Sequence, residues 1–409
     1  MTDDDTHSHD DLLRWQAGAE RVRDLRAAWL PRLGTETVAL DRITGRAVAE
    51  PITAPNDVPA HSHATMDGFA FDATESYPFD LVDAEVFPED DPPALGEGEA
   101  VRIATGAPLP GSANAVLKRE EARLDDDRLQ GTDLDPGTYV YERGSNVAEG
   151  ERLVEAGERL GPKDALLLAD LGIETVTVRD RFSIGLLATG TEIHEGRQRD
   201  LDSAMLAGLV RAWGHDATHE GTVPDDYDRV ESRIDALADE YDVVVTTGGT
   251  SVGDKDFVVR ALAELGDILF HRVRLRPGKP IAVAELPDHD AVAFAIPGKP
   301  VGAHAVTTLI ARPFFTGDPS LPSVSARMAR AVDIGVGGFD YAIPVTLDDG
   351  DAMPLGHADS ALSVYKEMFD PSVLSSSTRA TRADGFVLTD SGVARGDAVD
   401  VVPYPVVER

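Results

Sequence analysis

An α/β multidomain fold, built on a doubly wound and mostly parallel sheet with β-rich segments on either side, is what this 409-residue sequence predicts. Three observations carry the prediction. Residues 182–316 alternate apolar strand-like runs with helical periods, the punctuation of βαβ units joined by right-handed crossovers. The stretches 52–140 and 325–409 instead show short strand patterns broken by Pro and Gly. The length suits roughly two to four domains with ample core.

The chain is organised around Tyr241–Val258. Val243, Val244 and Val245 form a β-branched run that reads as a strand buried on both faces. It runs into Thr246-Thr247-Gly248-Gly249-Thr250-Ser251-Val252-Gly253, and from about Asp254 a helical period begins, with Phe257, Leu262 and Leu265 as its apolar anchors. A strand, a Gly/Thr/Ser loop and a helix start make a cradle for an anion: glycine lets backbone N–H groups turn inward, hydroxyls donate, and the helix dipole favours negative charge. The string is neither a Walker A loop nor a GxGxxG fingerprint. It reads as a phosphate-type site, with a plain glycine-rich βα turn as the alternative.

Composition narrows the function. The chain lacks cysteine, which excludes disulfides, thiolate metal sites and cysteine nucleophiles. No apolar run has membrane-spanning length, and the acidic start MTDDDTHSHDD is unlike a signal peptide, so a soluble cytoplasmic protein is expected. The formal net charge of −35 disfavours nucleic-acid binding, because phosphate backbones are repelled. Only six of the 38 basic residues are lysine. Such a surface suits very high salt, where a Debye length of about 3 Å removes most self-repulsion; an acidic partner-binding face is the second reading. Against that background, His271-Arg272-Val273-Arg274-Leu275-Arg276-Pro277-Gly278-Lys279 stands out, with four fixed cations and no acid. On one strand, Arg272, Arg274 and Arg276 would share a face. The patch reads as an anion site, the alternative being a solvated strand face.

In chain order, residues 1–10 form a polar tail whose His7 and His9 have no rigid partners for a metal. A helix is expected from Asp11 to about Leu30, stopped by Pro31, followed by a strand and a short helix around Leu40–Gly45. Within the β-rich region lie Ala64-Thr65-Met66-Asp67-Gly68-Phe69-Ala70-Phe71 and Arg102-Ile103-Ala104-Thr105-Gly106-Ala107-Pro108-Leu109-Pro110-Gly111, both ordinary turns when taken alone. Lys163–Leu171 is a helix and Thr175–Val178 a strand. Then come strand Ser183–Ala188, helix Ser203–Trp213, strand Ala217–Val223 and helix Asp226–Glu240. After the glycine-rich loop, strands are expected around Leu269–Leu275, Ile281–Ala284 and Ala291–Ile296, and a helix over Val301–Phe315. Open α/β sheets bind ligands beyond the carboxyl ends of their strands. Thr189-Gly190-Thr191-Glu192, Thr247–Gly253 and Pro297-Gly298-Lys299-Pro300 follow three such ends. Strands at Arg330–Ile334, Ala342–Leu347, Gly385–Thr389 and Ala398–Val402 then suggest a small β domain.

Taken together, these strings resemble the molybdopterin molybdenumtransferases, the MoeA family, and the matching domain of gephyrin-like proteins. GTETVALDRITGRAVAE with ATMDGFAF, RIATGAPLPGSANAVLKRE, LLATGTEI, VVTTGGTSVGDKDFV, RPGKP and AIPGKPV stand in the family's order, over nearly the whole chain after the tail. The resemblance implies a linking domain split into 11–52 and 137–180, an inserted β domain at 53–136, a molybdopterin-binding α/β domain at 181–318 and a β barrel at 325–409. It implies a homodimer with a composite cleft. The implied reaction inserts molybdate into adenylylated molybdopterin and releases AMP, with a separate molybdopterin adenylyltransferase as a possible partner. Carried over, Glu192, Asp226 and Asp256 would hold a divalent cation such as Mg2+, and with Asp67 and Lys279 would be the catalytic set. Thr105, Gly106, Thr189, Gly190, Ser203, Gly248, Gly249, Thr250, Ser251, Gly253, Arg276, Gly278, Pro297, Gly298 and Pro300 would bind substrate. The chain departs from the pattern at Ala148, Arg152, Ala204, Lys299 and Gly302, Lys299 standing where the family has Asn. Those changes raise an alternative, a paralogue that binds molybdopterin as carrier or scaffold. A CinA-like nucleotide-cleaving protein would share only the α/β module.

Overall fold

The computed structural model describes residues 12–250 and 256–409. It forms two compact units: one comprises the residues up to Glu36, Thr44–Ala47 and Val178–Arg409, the other Thr37–Ile43 and Val48–Thr177.

The second unit holds a six-stranded sheet. Gly68–Phe71 is its heart, paired antiparallel to both Glu99–Ile103 and Ala115–Lys118. Alternate residues face opposite ways, as a pleat requires: Phe69 and Phe71 pack with Phe79, Leu117 and Leu129, while Ala70 packs with Val101, Ile103 and Val116. Phe79–Val86, Arg123–Asp125 and Arg128–Gln130 complete it.

The first unit contains the α/β sheet, with β1 (Ser183–Thr189), β2 (Asp216–Val223), β3 (Val243–Thr247), β4 (Asp267–His271), β5 (Ala282–Leu286) and β6 (Ala291–Ile296). Their order is β2-β1-β3-β6-β5-β4. The pairings from β2 through β6 are parallel, and only β5 runs against its neighbours. The valine run explains why β3 is central. Val243 and Val245 enter one core with Phe294, Phe314 and Trp213; Val244 enters another with Val230, Ile234, Val258 and Leu262. Helices therefore cover both faces: α1 (Trp15–Trp29) and α2 (Ser203–Ala212) on the first, α3 (Tyr227–Ala238) and α4 (Phe257–Leu265) on the second. The helix in the stretch expected to be linking, α1, buries Trp15, Val22, Leu25 and Trp29 within this unit.

Three expectations are corrected. The strand over Leu269–Leu275 ends at His271, because Arg272 turns to a φ of 69° and donates its N–H to Ile281 O at 2.8 Å. The alternation of Arg272, Arg274 and Arg276 is thereby broken; Arg274 Nε instead donates to Leu12 O at 2.9 Å. The helix over Val301–Phe315 is interrupted. It comprises α5 (Pro300–Val306), a π-helical stretch over Thr307–Ala311 and α6 (Arg312–Thr316), the wide turn coming just before Pro313, which has no N–H to donate. Finally, Arg330–Ile334 contributes only isolated bridges. The strand there is β7 (Val324–Met328), whose alternate residues Ala326 and Met328 point inward. With β8 (Asp340–Asp348), β9 (Asp351–Pro354), β10 (Gly385–Thr389) and β11 (Ala398–Pro403) it closes a five-stranded barrel, since β8 pairs with both β9 and β10. No helix among the described residues is long and apolar enough to cross a membrane.

Candidate active site

Because β1, β2, β3 and β6 are parallel, their carboxyl ends deliver Thr189-Gly190, Asp225, Thr247-Gly248-Gly249 and Pro297-Gly298 to one edge of the sheet. Two cavities open there. The first, of about 440 Å³, is lined by Gly248, Gly249, Thr250, Pro297, Gly298 and the cations Arg276, Lys279 and Lys299. Ser372 and Ser375, from the segment ahead of β10, form its far wall. Its positive charge is held in place: the Arg276 guanidinium lies 4.2 Å from the ring centre of buried Phe339, and Lys279 Nζ lies 5.9 Å from the same ring. At its base, Gly248 has a φ of 89° and a Cβ there would sit 2.7 Å from Thr189 O, so only glycine fits.

The second cavity, also about 440 Å³, is lined by the carboxylates Glu192, Asp200, Asp202 and Asp225, with Arg199 and Lys299 as its cations. Local hydrogen bonds fix it. Asp225 accepts from Thr191 N at 3.1 Å, and Thr191 Oγ1 accepts from Asp225 N at 3.0 Å. Asp200 Oδ1 accepts from the backbone of both Asp202 and Ser203 at 3.1 Å. Thr247 Oγ1 donates to Asp202 Oδ2 at 3.1 Å, leaving Asp202 Oδ1 and Ser203 Oγ buried with no partner among the described residues. Burial pushes the Asp202 carboxyl up to about 6; the Thr247 hydroxyl opposes this and the charge of Asp200 adds to it. A buried, orphaned carboxylate oxygen on an acid-lined cavity is what a divalent cation would satisfy, with substrate phosphate completing the shell.

Of the residues expected from sequence, Thr189, Gly190, Glu192, Gly248, Gly249, Thr250, Arg276, Gly278, Lys279, Pro297, Gly298 and Pro300 line these two cavities. Ser203 lies behind the second. Ser251 and Gly253 fall outside the described residues. Asp67, Thr105 and Gly106 belong to the other compact unit, where two separate strings meet. There Asp67 Oδ1 accepts from Thr105 N at 2.7 Å and Thr105 Oγ1 at 2.8 Å, bonds that hold its carboxyl below the usual range.

Glu192, Asp226 and Asp256 are not gathered into a metal-ligand set, and no group of three His, Asp or Glu among the described residues is so arranged. Asp226 caps α3, accepting from Arg229 N at 3.0 Å, while its neighbour Asp225 faces the cavity. Asp256 is buried, which raises its carboxyl. His271 Nε2 lies 3.8 Å from it, but burial and the neighbouring Arg272 push His271 down to about 4, so near neutrality this contact joins no charges. The sequence reading missed Arg199, Asp200, Asp202 and Asp225. Of the Asp225-Asp226 pair the sequence points to the second acid, whereas the first lines the cavity, and Ser372 and Ser375 carry no local signal.

Two family models match: residues 17–172 fit the MoeA N-terminal region (domain I and II), and residues 185–317 fit a model described as "Probable molybdopterin binding domain". A molybdopterin molybdenumtransferase of Synechococcus elongatus is 30% identical over 310 residues, covering 70% of this chain and 76% of the relative. The chain belongs to the MoeA family. A molybdopterin molybdenumtransferase of Bacillus subtilis is 29% identical over 353 residues, covering 77% and 82% of the two chains. Among solved structures, a molybdopterin biosynthesis MoeA protein from Pyrococcus horikoshii superposes with a TM-score of 0.67 at 27% identity, over 96% of this chain and 99% of that one. The five-stranded barrel and the α/β sheet are thus the MoeA fold.

The raised Asp202 carboxyl has a consequence for stability. Its folded value exceeds its unfolded one, so the folded chain binds the proton more tightly and stability falls as pH rises from about 4 through 6. Asp202→Asn removes that loss. The variant is expected to melt together with the parent at pH 4 and clearly above it at pH 8 in calorimetric scans; coincident melting at both pH values would show that the carboxyl is not strained.

Proposed function

We propose that this protein inserts molybdate into the dithiolene of adenylylated molybdopterin and releases AMP. One observation carries the reading: a cation-lined cavity and an acid-lined cavity lie side by side at the carboxyl edge of a parallel sheet. The cations suit an oxyanion directly, and the carboxylates suit a phosphoanhydride through a divalent cation bound between them. The relatives that carry the transferase name favour the enzyme over the carrier alternative.

In this reading Arg276 and Lys279 hold the molybdate oxyanion, braced against Phe339 so that little reorganisation accompanies binding. The backbone of Gly248 and Gly249 admits the substrate closely where any side chain would obstruct it. Asp202 would offer its orphaned Oδ1 to a divalent cation such as Mg2+, with the substrate phosphates supplying most of the shell and Asp200, Asp225 and Glu192 lining the same cavity without forming a ligand set. That ion, when bound, supplies neutralisation of the anhydride charge. Asp67 and Thr105 complete the site from a second protomer of a homodimer, and the four-part division of the chain belongs to the same reading. A cytoplasmic location, operation at high salt and delivery of substrate by a molybdopterin adenylyltransferase are further parts of the proposal.

The direct test is incubation with adenylylated molybdopterin and molybdate in molar salt, following AMP. AMP release that depends on molybdate is expected; release independent of molybdate, or none, would contradict the reading. Lys279→Ala is expected to raise the molybdate requirement more than the pterin requirement, and equal losses would place this lysine on the phosphate instead.

The composite site has its own test. Asp67→Asn and Lys279→Ala variants, each impaired alone, should recover activity when their subunits are exchanged in a mixture. Mixed dimers with no recovery would show that each site is built within one chain.

A further inference from the structure

The two cavities share four lining residues: Gly248, Gly249, Gly298 and Lys299. These form the ridge between them, and it is packed too closely for added side chains. A Cβ at Gly298 would stand 3.1 Å from Gly248 Cα, and one at Gly249 would stand 2.6 Å from Val258 Cγ2. Three of the four positions therefore present no side chain, and among the described residues the only side chain on the ridge is that of Lys299.

Lys299 is exposed, and its ammonium donates to one backbone carbonyl, Ser372 O, at 3.2 Å. The Asp370 carboxyl, held low chiefly by the Ser372 hydroxyl and by backbone N–H groups, also feels the charge of Lys299. An ammonium has three donors, so a single carbonyl leaves capacity for an anion. Its flexible four-carbon stem lets the charge move along the ridge while its backbone, at the start of α5, stays fixed. An anionic group that extends from the first cavity into the second crosses this ridge and then meets four carboxylates. Without a metal ion, the cations lining that second cavity are Arg199 and Lys299, and only Lys299 also lines the first.

We infer that Lys299 is a built-in counter-charge for the substrate's phosphoanhydride and takes over part of the neutralisation that a divalent cation provides, so that this chain binds and turns over its substrate at low divalent-cation concentration. The inference rests on the proposed reaction and adds a specific role for a residue that is Asn in the resembled pattern. Lysine and metal ion act on the same developing charge, so each is needed less when the other is present.

The test compares the parent protein with Lys299→Asn and Lys299→Arg in two measurements. One is calorimetric binding of adenylylated molybdopterin in EDTA and again in excess Mg2+; the other is AMP release across a Mg2+ series. Lys299→Asn is expected to bind about tenfold more weakly than the parent in EDTA, the scale of one charged hydrogen bond. The deficit should narrow in excess Mg2+, and the half-saturating Mg2+ concentration for AMP release should rise by about the same factor. Lys299→Arg, which keeps the charge, should stay close to the parent in both. An Asn variant whose binding deficit is the same with and without Mg2+ would make Lys299 a simple substrate contact and overturn the inference, as would superimposable Mg2+ curves. A parent protein that binds the substrate but releases no AMP would defeat the proposed reaction instead, while the binding comparison would still decide the role of Lys299.

Discussion

A body with a formal net charge of −35 repels anions, so any anion that the two cavities take has to be held against that charge. Long-range attraction is not available, so binding must come from cations and backbone donors within contact distance, inside the reach that salt screens least. The structure concentrates them. Arg276, Lys279 and Lys299 line one cavity, two of them resting on the single ring of Phe339. The glycines between them remove side chains that would keep a ligand away from backbone N–H groups. The acid-lined cavity next door is consistent with the same logic: four carboxylates are tolerable beside an anion only where cations stand between or among them.

What holds the two cavities together is the burial of β3 on both faces. Val244 enters the core formed with α3 and α4, while Val243 and Val245 enter the core shared with α2 and the C-terminal helices. A strand committed to two cores cannot slip by one residue without exposing its apolar side chains, so the position of Gly248 is fixed by packing away from the cavity it lines. The same holds for β6, every residue of which is buried and which delivers Pro297, Gly298 and Lys299. Strand register thus becomes site geometry. The barrel contributes through Phe339, at the entry to β8, and the segment ahead of β10 adds Ser372 and Ser375.

Much of this was legible in the sequence, and the reasons are local. A β-branched run ending in glycine identifies a buried strand and a tight turn, and three such ends gave three of the loops that line the cavities. The chain's resemblance to MoeA proteins supplied the barrel, which short strand patterns alone could not close. The failures have equally local causes. The alternation of Arg272, Arg274 and Arg276 requires one continuous strand, whereas a left-handed Arg272 ends β4, and of the three only Arg276 lines the first cavity. Asp202 has no signal in sequence because its character comes from burial beneath Thr247, a contact across 45 residues. Lys299 could be noted as a departure from a pattern, but its place on a ridge of glycines is a property of three loops brought together.

The proposed function requires one substrate to occupy both cavities across the glycine ridge. Hydrogen exchange of the full chain, with and without adenylylated molybdopterin and molybdate, tests it most directly. Slowed exchange is expected in residues 189–202, 247–250 and 297–302 together, because these segments line the two cavities and meet at the ridge. Slowing confined to one cavity, or ligand-dependent protection that leaves all three segments unchanged, would contradict it.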